Sequence, residues 1–528
     1  MKELSKQTFA EPWRAFRVSA TLQKRDARCK QRIHRRLRRR NGPAQLEPMF
    51  RGGNIQYEGS DRVRGLGAGG IGAIHLMVQR LGLAAAIDAN LRLLHVHQPY
   101  HESDHVLHIA YNILCGGKTL EDLDQLRHDE VYQDAIGARV VPDPTTAGDF
   151  TRRFRESDIQ SLMNAIDSVR VKVWRQQPDP FFDEAIVEAD GTRAPTQGER
   201  KEGIDISYNG VWGYHPLVVT LANTGEPLYL VNRSGNRPSH EGSAERFDQA
   251  IALCQRAGFR KTLLRGDTDF SSTQHLDRWN ANNVRFVFGI DAMAPLVANA
   301  NDLSERAWQR LQRPAKYAVK TEERGRRENI KEQVVVERGF KNIRLESEDV
   351  AEFNYQPGAC QQSYRVVVVR KNLSVAKGEN VLFDDLRYFF YITNDASTPA
   401  KEIVLLANDR CNQENLIEQL KNGVHAMRMP VHTKVSNGAY MVMASLAWTL
   451  KAWFALSLPE TGRGAEQRKA EKRTVLRMEF RAFQRSFIAM PCQIVRAGRR
   501  IIYRLLSWNR WQRTFLRGVE ALRSPLRC

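Results

Sequence analysis

Between residues 185 and 290 the chain alternates short apolar runs, turn signals and amphipathic segments, and few folds accommodate that alternation. Ala185-Ile-Val-Glu-Ala-Asp190 reads as a short buried strand that ends in an acid. Gly210–Ala222 reads as a second strand, Asn223-Thr-Gly-Glu226 as a turn, and Pro227–Arg233 as a third strand. Ser243 to Ala257 has helical spacing, Lys261–Asp267 is a fourth strand running into a loop, Ser271 to Asn280 is a helix, and Val284–Ile290 is a fifth strand. The order β-β-β-α-β-α-β predicts an α/β fold with Asp190 and Asp267 at strand tips.

Either side of this stretch the pattern changes. Residues 66–165 are helical, with apolar spacing over Ile71–Leu81 and His105–Leu114. Thr146 with Asp149 three residues on has the form of a capping box. From 291 to 385 the alternation stops, and Gln333–Glu337 and Tyr364–Arg370 read as strands of a β-rich insertion. Phe389–Thr393 returns as a strand, and Pro399 to Ala407 starts a helix. The expected divisions are a basic arm at 1–65, a helical region at 66–165, a core at 180–290 resumed at 386–458 after the insertion, and a basic helical tail at 459–528. His215 and Trp212 on the second strand, and Trp448 and Trp453 further on, read as packing residues.

Charge narrows the partners. The formal net charge is +20 and the isoelectric point about 9.8, which favours a polyanion. The excess sits at the ends, with 15 basic and 4 acidic side chains from Trp13 to Arg64 and 17 basic and 4 acidic from Thr461 onward. Lys24–Arg40 carries Arg32, Arg35, Arg36, Arg38, Arg39 and Arg40 before Asn41-Gly-Pro43, and reads as a helix laid on phosphates or a disordered basic arm. The 7 cysteines are scattered without Cys-x-x-Cys or zinc spacing, as expected in a reducing cytosol, and no apolar signal segment follows Lys2. Gly438 to Leu458 is long and apolar enough for a bilayer, but Lys451 interrupts it, and it reads as a buried helix, so no membrane partner is expected.

The third acid comes from Arg410-Cys-Asn-Gln-Glu414-Asn-Leu-Ile-Glu418-Gln-Leu-Lys421. At 100° per residue Arg410, Glu414 and Lys421 share one narrow helix face, beside an apolar flank of Leu416, Ile417, Leu420 and Val424, with Gly423 as a stop. An amphipathic helix with a solvated charged face accounts for the same spacing. Asp190 and Asp267 also have ordinary readings as turn or capping residues, Asp269 rivals Asp267, and Glu418 rivals Glu414. Brought together at about 4 Å, such acids would repel by about 4 kcal/mol per pair at an effective dielectric of 20. Hard divalent ions, Mg2+ or Mn2+, would offset that and could drive phosphodiester chemistry, with Arg410 and Lys421 on the DNA backbone.

With these residues in view the chain resembles the DDE transposases of bacterial insertion sequences, in the group 1 transposase DDE domain. The resemblance rests on Asp190-Gly-Thr, Tyr214-His-Pro-Leu217, Leu264-Arg-Gly-Asp-Thr-Asp-Phe270, Tyr391-Ile-Thr-Asn394 and Arg410-x3-Glu414-x6-Lys421, and covers roughly residues 65–455. It implies an RNase H-like catalytic core with a β-rich insertion before the last acid, and Asp190, Asp267 and Glu414 as metal-binding catalytic acids. It further implies terminal inverted repeats and target DNA as partners, a homodimer on DNA, and a bacterial cytoplasmic protein associated with the nucleoid. Related transposases carry a tyrosine three positions before the arginine. Here that position is Ala407, and no hairpin route is inferred. The 66–165 region would read the repeats, by analogy of fold alone, and Arg35, Arg36 and Arg39 would contact phosphates. Another RNase H-like nuclease and a catalytically inactive DNA-binding protein are the alternatives.

Overall fold

A computed structural model describes residues 20–38, 55–60, 62–196, 198–207, 209–313, 330–338, 341–377, 380–462, 464–498 and 500–524. The chain forms two compact units, one of Gln177–Asn422 with Ala426–Val442, the other of Met1–Gln176, Gly423–His425 and Met443–Cys528.

The first unit is built on a nine-stranded mixed sheet. In space the strands run Gln309–Arg310, Lys341–Tyr355, Tyr364–Lys377, Asn380–Thr393, Arg285–Ile290, Thr262–Gly266, Ala185–Gly191, Leu217–Leu221 and Glu226–Val231. Thr262–Gly266 is parallel to both of its neighbours, and every other pair is antiparallel. The strands between 341 and 393 therefore extend the sheet that holds Asp190, because Asn380–Thr393 pairs with Arg285–Ile290.

Alternation of side chains divides this sheet into two faces. Leu263 and Val287 lie on one face with Ile403, Val404 and Ala407 of the helix Ala400–Asn408, in a core joined by Val350, Val367 and Val369. Phe288 points the other way, onto Phe247 of the helix Ser243–Ala257 and onto Trp279. Helices thus cover both faces, as parallel strands buried on two sides require.

Several sequence expectations need correction here. Gly210–Ala222 is two strands. Trp212–Tyr214 joins Ala194–Pro195 and Asp205–Ile206 in a small separate sheet, and Leu217–Leu221 enters the large one. Pro216 has no N–H to give a ladder, and the break falls there. Trp212 does not pack, since its residue surface is 55% exposed, whereas His215 is buried. Gln333–Glu337 is not a strand but part of the helix Ile330–Glu337, where Lys, Glu and Gln outweigh three valines. The helix expected over Ser271–Asn280 is shorter, Leu276–Ala281, and is preceded by a 3₁₀ turn at Thr273–His275.

The second unit is mainly helical. Leu83–Asn90 packs on both Glu102–Cys115 and Glu156–Trp174. The helix Pro144–Arg152 is capped by Asp143, whose carboxylate accepts from the Thr146 N–H at 2.8 Å and its hydroxyl at 2.9 Å. The Thr146–Asp149 capping box does not form, because Pro144 begins the helix three residues earlier than that box requires. Residues 459–528 include the helices Ala465–Arg477 and Gln512–Ala521, as expected, but are not helical throughout. They carry the hairpin Cys492–Ala497 with Arg500–Leu505, which pairs with Gly65–Leu66. Tyr503 donates to the Ala135 carbonyl at 2.7 Å, and Gln484 to that of Ile113 at 2.6 Å. Gly70 permits this closure, since a Cβ there would stand 1.7 Å from the Phe487 carbonyl oxygen.

The helix Lys434–Leu456 is long and apolar enough to cross a membrane, yet its apolar stretch is wholly buried in the protein. Trp448 and Trp453 are buried on it, as expected. The run of arginines near the N-terminus is a helix, Ala20–Arg38, with Arg35 and Arg36 exposed. Its Asp26 is buried and accepts from Arg513 Nε at 2.9 Å. Arg39 lies outside the described residues.

Candidate active site

Asp190 is the penultimate residue of Ala185–Gly191, level with Val218 across the ladder. On its other side the parallel register pairs Glu188 with Arg265. Two residues beyond that pair, in step, stand Asp190 and Asp267. The alternation that puts Leu263 against the helix Ala400–Asn408 puts Arg265 and Asp267 on that same face. Gly266 separates them because a Cβ there would come within 2.7 Å of Phe270 Cβ, where the chain turns back beneath the strand.

Asp267 opens that turn, with Oδ1 accepting from the Asp269 N–H at 3.1 Å. Its Oδ2 lies 3.6 Å from Arg410 Nη1. Arg410 stands at the head of the helix Cys411–Glu418, which carries Glu414. Gln413 fixes this helix to the sheet, donating from Nε2 to the Val218 carbonyl at 3.2 Å, on the strand beside Asp190. Glu414 and Glu418 are both exposed.

The electrostatics tie these residues together. Burial, reinforced by the negative charges of Asp267 and Glu414, pushes the Asp190 carboxyl up to about 7 against the pull of Arg410. Burial also raises Asp267, with Arg410 opposing and Asp269 and Asp291 adding to it. Burial lowers Lys421, while Glu418 and Asp190 favour its charge.

The expected single face of Arg410, Glu414 and Lys421 is altered at its far end. The α-helix stops at Glu418, and Gln419–Gly423 winds with the wider spacing of a π-helix. Lys421 is therefore out of the 100° phase yet remains within the field of Asp190. Ala407, where related transposases have tyrosine, is buried in the core between helix and sheet.

The carboxylates of Asp190, Asp267 and Glu414 do not converge to within 4.8 Å of one another as a trio. Among the described residues the metal-ligand group that does is His97, His101 and Glu102, in the helical unit. That group is already occupied in holding a loop. Glu102 Oε1 accepts from Leu93 and Leu94 N–H at 2.9 and 3.0 Å, and Oε2 faces His97 Nε2 at 3.0 Å.

Sequence reading overlooked Glu188, Arg265 and Gln413. Glu188 and Arg265 are buried and joined by an ion pair. Their signal was legible, since Glu188-Ala-Asp190 and Arg265-Gly-Asp267 place opposite charges two residues before each acid.

A family model for the transposase DDE domain group 1 matches residues 65–526. The chain belongs to that family. The match takes in the segment after Pro459, beyond the motifs that carry the sequence resemblance. A comparison with proteins of curated function returned no match. Among solved structures, a piggyBac transposase synaptic complex with hairpin DNA is similar over 80% of this chain and 82% of that one, at 11% identity and a TM-score of 0.36. That likeness is too slight to carry an argument. Transposase function and a DNA partner follow from family membership, and divalent-metal dependence is typical of DDE transposases.

Proposed function

We propose that this transposase binds the terminal inverted repeats of its own element, cuts at their ends and joins the freed 3′ ends to target DNA. The observation that carries this reading is the site itself: Asp190 and Asp267 in step on adjacent parallel strands, with the Glu414 helix fixed to the strand on Asp190's other side. The sheet supports an RNase H-like core. Counted along the chain, its five strands between 185 and 290 stand in the order third, second, first, fourth, fifth, with the first, fourth and fifth parallel.

The donor set fits a hard divalent cation. All three groups are carboxylates, and Asp190 carries the strain of like charges that a cation relieves. Asp190, Asp267 and Glu414 would hold Mg2+ or Mn2+, which when bound activates an attacking oxygen and stabilises the leaving one in phosphodiester displacement. Glu414 is favoured over Glu418 because its charge bears on Asp190, whereas Glu418 accepts from Asn422 at 2.7 Å and bears on Lys421. Asp267 is favoured over the exposed Asp269, whose N–H it engages.

Arg410 holds Asp267 in place and, with Lys421, offers positive charge to the DNA backbone beside the acids. Arg35 and Arg36, exposed on their helix, bind phosphates without reading sequence, and Arg39 continues the run. The helical region 66–165 reads the terminal repeats, and two ends are brought together by a homodimer on DNA. The site of action is the nucleoid of a bacterial cytoplasm.

The deciding experiment is a nicking assay on DNA carrying the element's ends, with Mg2+, Mn2+ or EDTA, wild type beside Glu414→Ala. Metal-dependent nicks at the repeat boundary that Glu414→Ala loses, while still binding the DNA, are expected. Cleavage by Glu414→Ala at the wild-type rate would remove Glu414 from the site.

A further inference from the structure

We infer that Arg265 is the positioning residue of this site: carried by the strand that leads into Asp267, its guanidinium bonds to the strand that carries Asp190 and to the helix that leads into the one bearing Glu414. The inference rests on the proposed metal-binding role of Asp190, Asp267 and Glu414.

Arg265 itself lies two residues before Asp267 on the same strand. Its Nε donates to Glu188 Oε1 at 2.8 Å, with Nη2 on the same oxygen, and Glu188 lies two residues before Asp190. Its Nη1 donates to the Leu406 carbonyl at 2.7 Å. Leu406 is near the end of Ala400–Asn408, the helix that leads through Asp409 and Arg410 into the Glu414 helix. Period-two alternation puts Glu188 with Asp190, and Arg265 with Asp267, on one face of the sheet. The bonds therefore set the level of the two strands directly beneath the acids and fix where the third segment departs.

Both side chains are almost wholly buried, Arg265 at 3% and Glu188 at 2% residue exposure. A buried ion pair contributes little to stability compared with apolar residues of similar volume. The planar fork of an arginine, by contrast, bonds in several fixed directions at once, and a lysine cannot reproduce that. Partners one layer behind metal ligands commonly govern metal affinity, by about 10–100-fold.

The test replaces the pair by apolar residues, Glu188→Leu with Arg265→Met, and compares the full-length protein with wild type. Three quantities are read: thermal stability, Mn2+ affinity by titration calorimetry, and nicking of end DNA. The double variant is expected to fold with a Tm close to wild type, to bind Mn2+ about 10–100-fold more weakly, and to recover nicking in part at high Mn2+. Mn2+ affinity and nicking at wild-type levels in the folded double variant would overturn the inference alone. Wild type that binds no Mn2+ would overturn the metal-binding reading and the inference with it. If the double variant does not fold, Arg265→Lys decides. It keeps the charge against Glu188 but not the fork that also reaches Leu406. Weakened Mn2+ affinity at unchanged DNA binding supports the positioning role, and unchanged Mn2+ affinity overturns it.

Discussion

Asp190 in the sheet unit and Lys451 in the helical unit both titrate near pH 7, brought there from opposite sides: burial and neighbouring acids raise Asp190 to about 7, and burial alone lowers Lys451 to about 7. The causes separate them. Asp190 is strained partly by Asp267 and Glu414, acids delivered from other segments. Lys451 is fully buried, but its ammonium donates to the Leu476 carbonyl at 2.6 Å and lies 3.9 Å from the centre of the Trp448 ring. One centre is strained partly by the protein's own acids, and the other by burial alone. A titration point displaced to neutrality is thus no sign of a site by itself. The sign is strain that the protein's own groups increase.

The largest effect belongs to Asp190→Asn. Loss of the carboxylate proposed to hold metal should cost several kcal/mol of transition-state stabilisation, about a thousandfold in nicking rate. Stability should move the other way. A carboxyl whose folded pKa is raised contributes stability that is complete below its unfolded value near 4 and lost as pH rises through about 7. Metal-free wild type should therefore lose Tm across that window, and Asp190→Asn should flatten the loss and melt higher at pH 8. Mn2+ should raise the Tm of wild type more at pH 8 than at pH 5. A slope that Asp190→Asn leaves unchanged would detach Asp190 from the strain and erase the contrast with Lys451.

Lys451→Met sharpens the other side. The folded pKa of Lys451, about 7, lies below its unfolded value near 10.4. The penalty is full below pH 7 and fades as pH rises towards 10, so this lysine makes stability rise with pH over that window. Methionine fills a similar volume without the charge. Lys451→Met should raise Tm at pH 6.5, raise it less at pH 9.5, and leave nicking and Mn2+ affinity unchanged. Weakened Mn2+ binding would show that Lys451 is not confined to a structural role.

The two centres also differ in what the sequence made visible. Asp190 and Asp267 were legible because a strand fixes its own tip, and the parallel register then brings both tips level. Glu414 was legible by its spacing from Arg410, but the π turn after Glu418 was not, since one residue of winding leaves no mark in composition. The long strands between 341 and 393 read as a separate insertion because sheet membership depends on pairing far along the chain, here with Arg285–Ile290. Pro216 stands at the break between two sheets, although the apolar run on either side of it reads as one strand. Glu188 and Arg265 went unread because charged residues inside a strand are taken as exposed until a partner is found on the neighbouring strand.

The smallest effect tests a charge that lies in neither centre. Asp143 is half-buried and settled by local bonds alone, two from Thr146 and one ion pair at 3.4 Å with Arg127. The Thr146 backbone N–H and side chain, with Arg127, hold its carboxyl below the usual range although burial works against them. Asp143→Ala removes an N-cap and should cost about 1 kcal/mol. The folded pKa lies below the unfolded one, so that stability is present above pH 4 and disappears as pH falls. Asp149→Ala, at the residue that spacing alone would make the capping partner, should change little, since Asp149 is exposed and pairs with exposed Arg152. Urea melts of the two variants at pH 7 and pH 3 separate the cases. Equal losses for Asp143→Ala and Asp149→Ala would restore the capping box, and a loss for Asp143→Ala that persists at pH 3 would mean the residue acts through packing rather than through its charge.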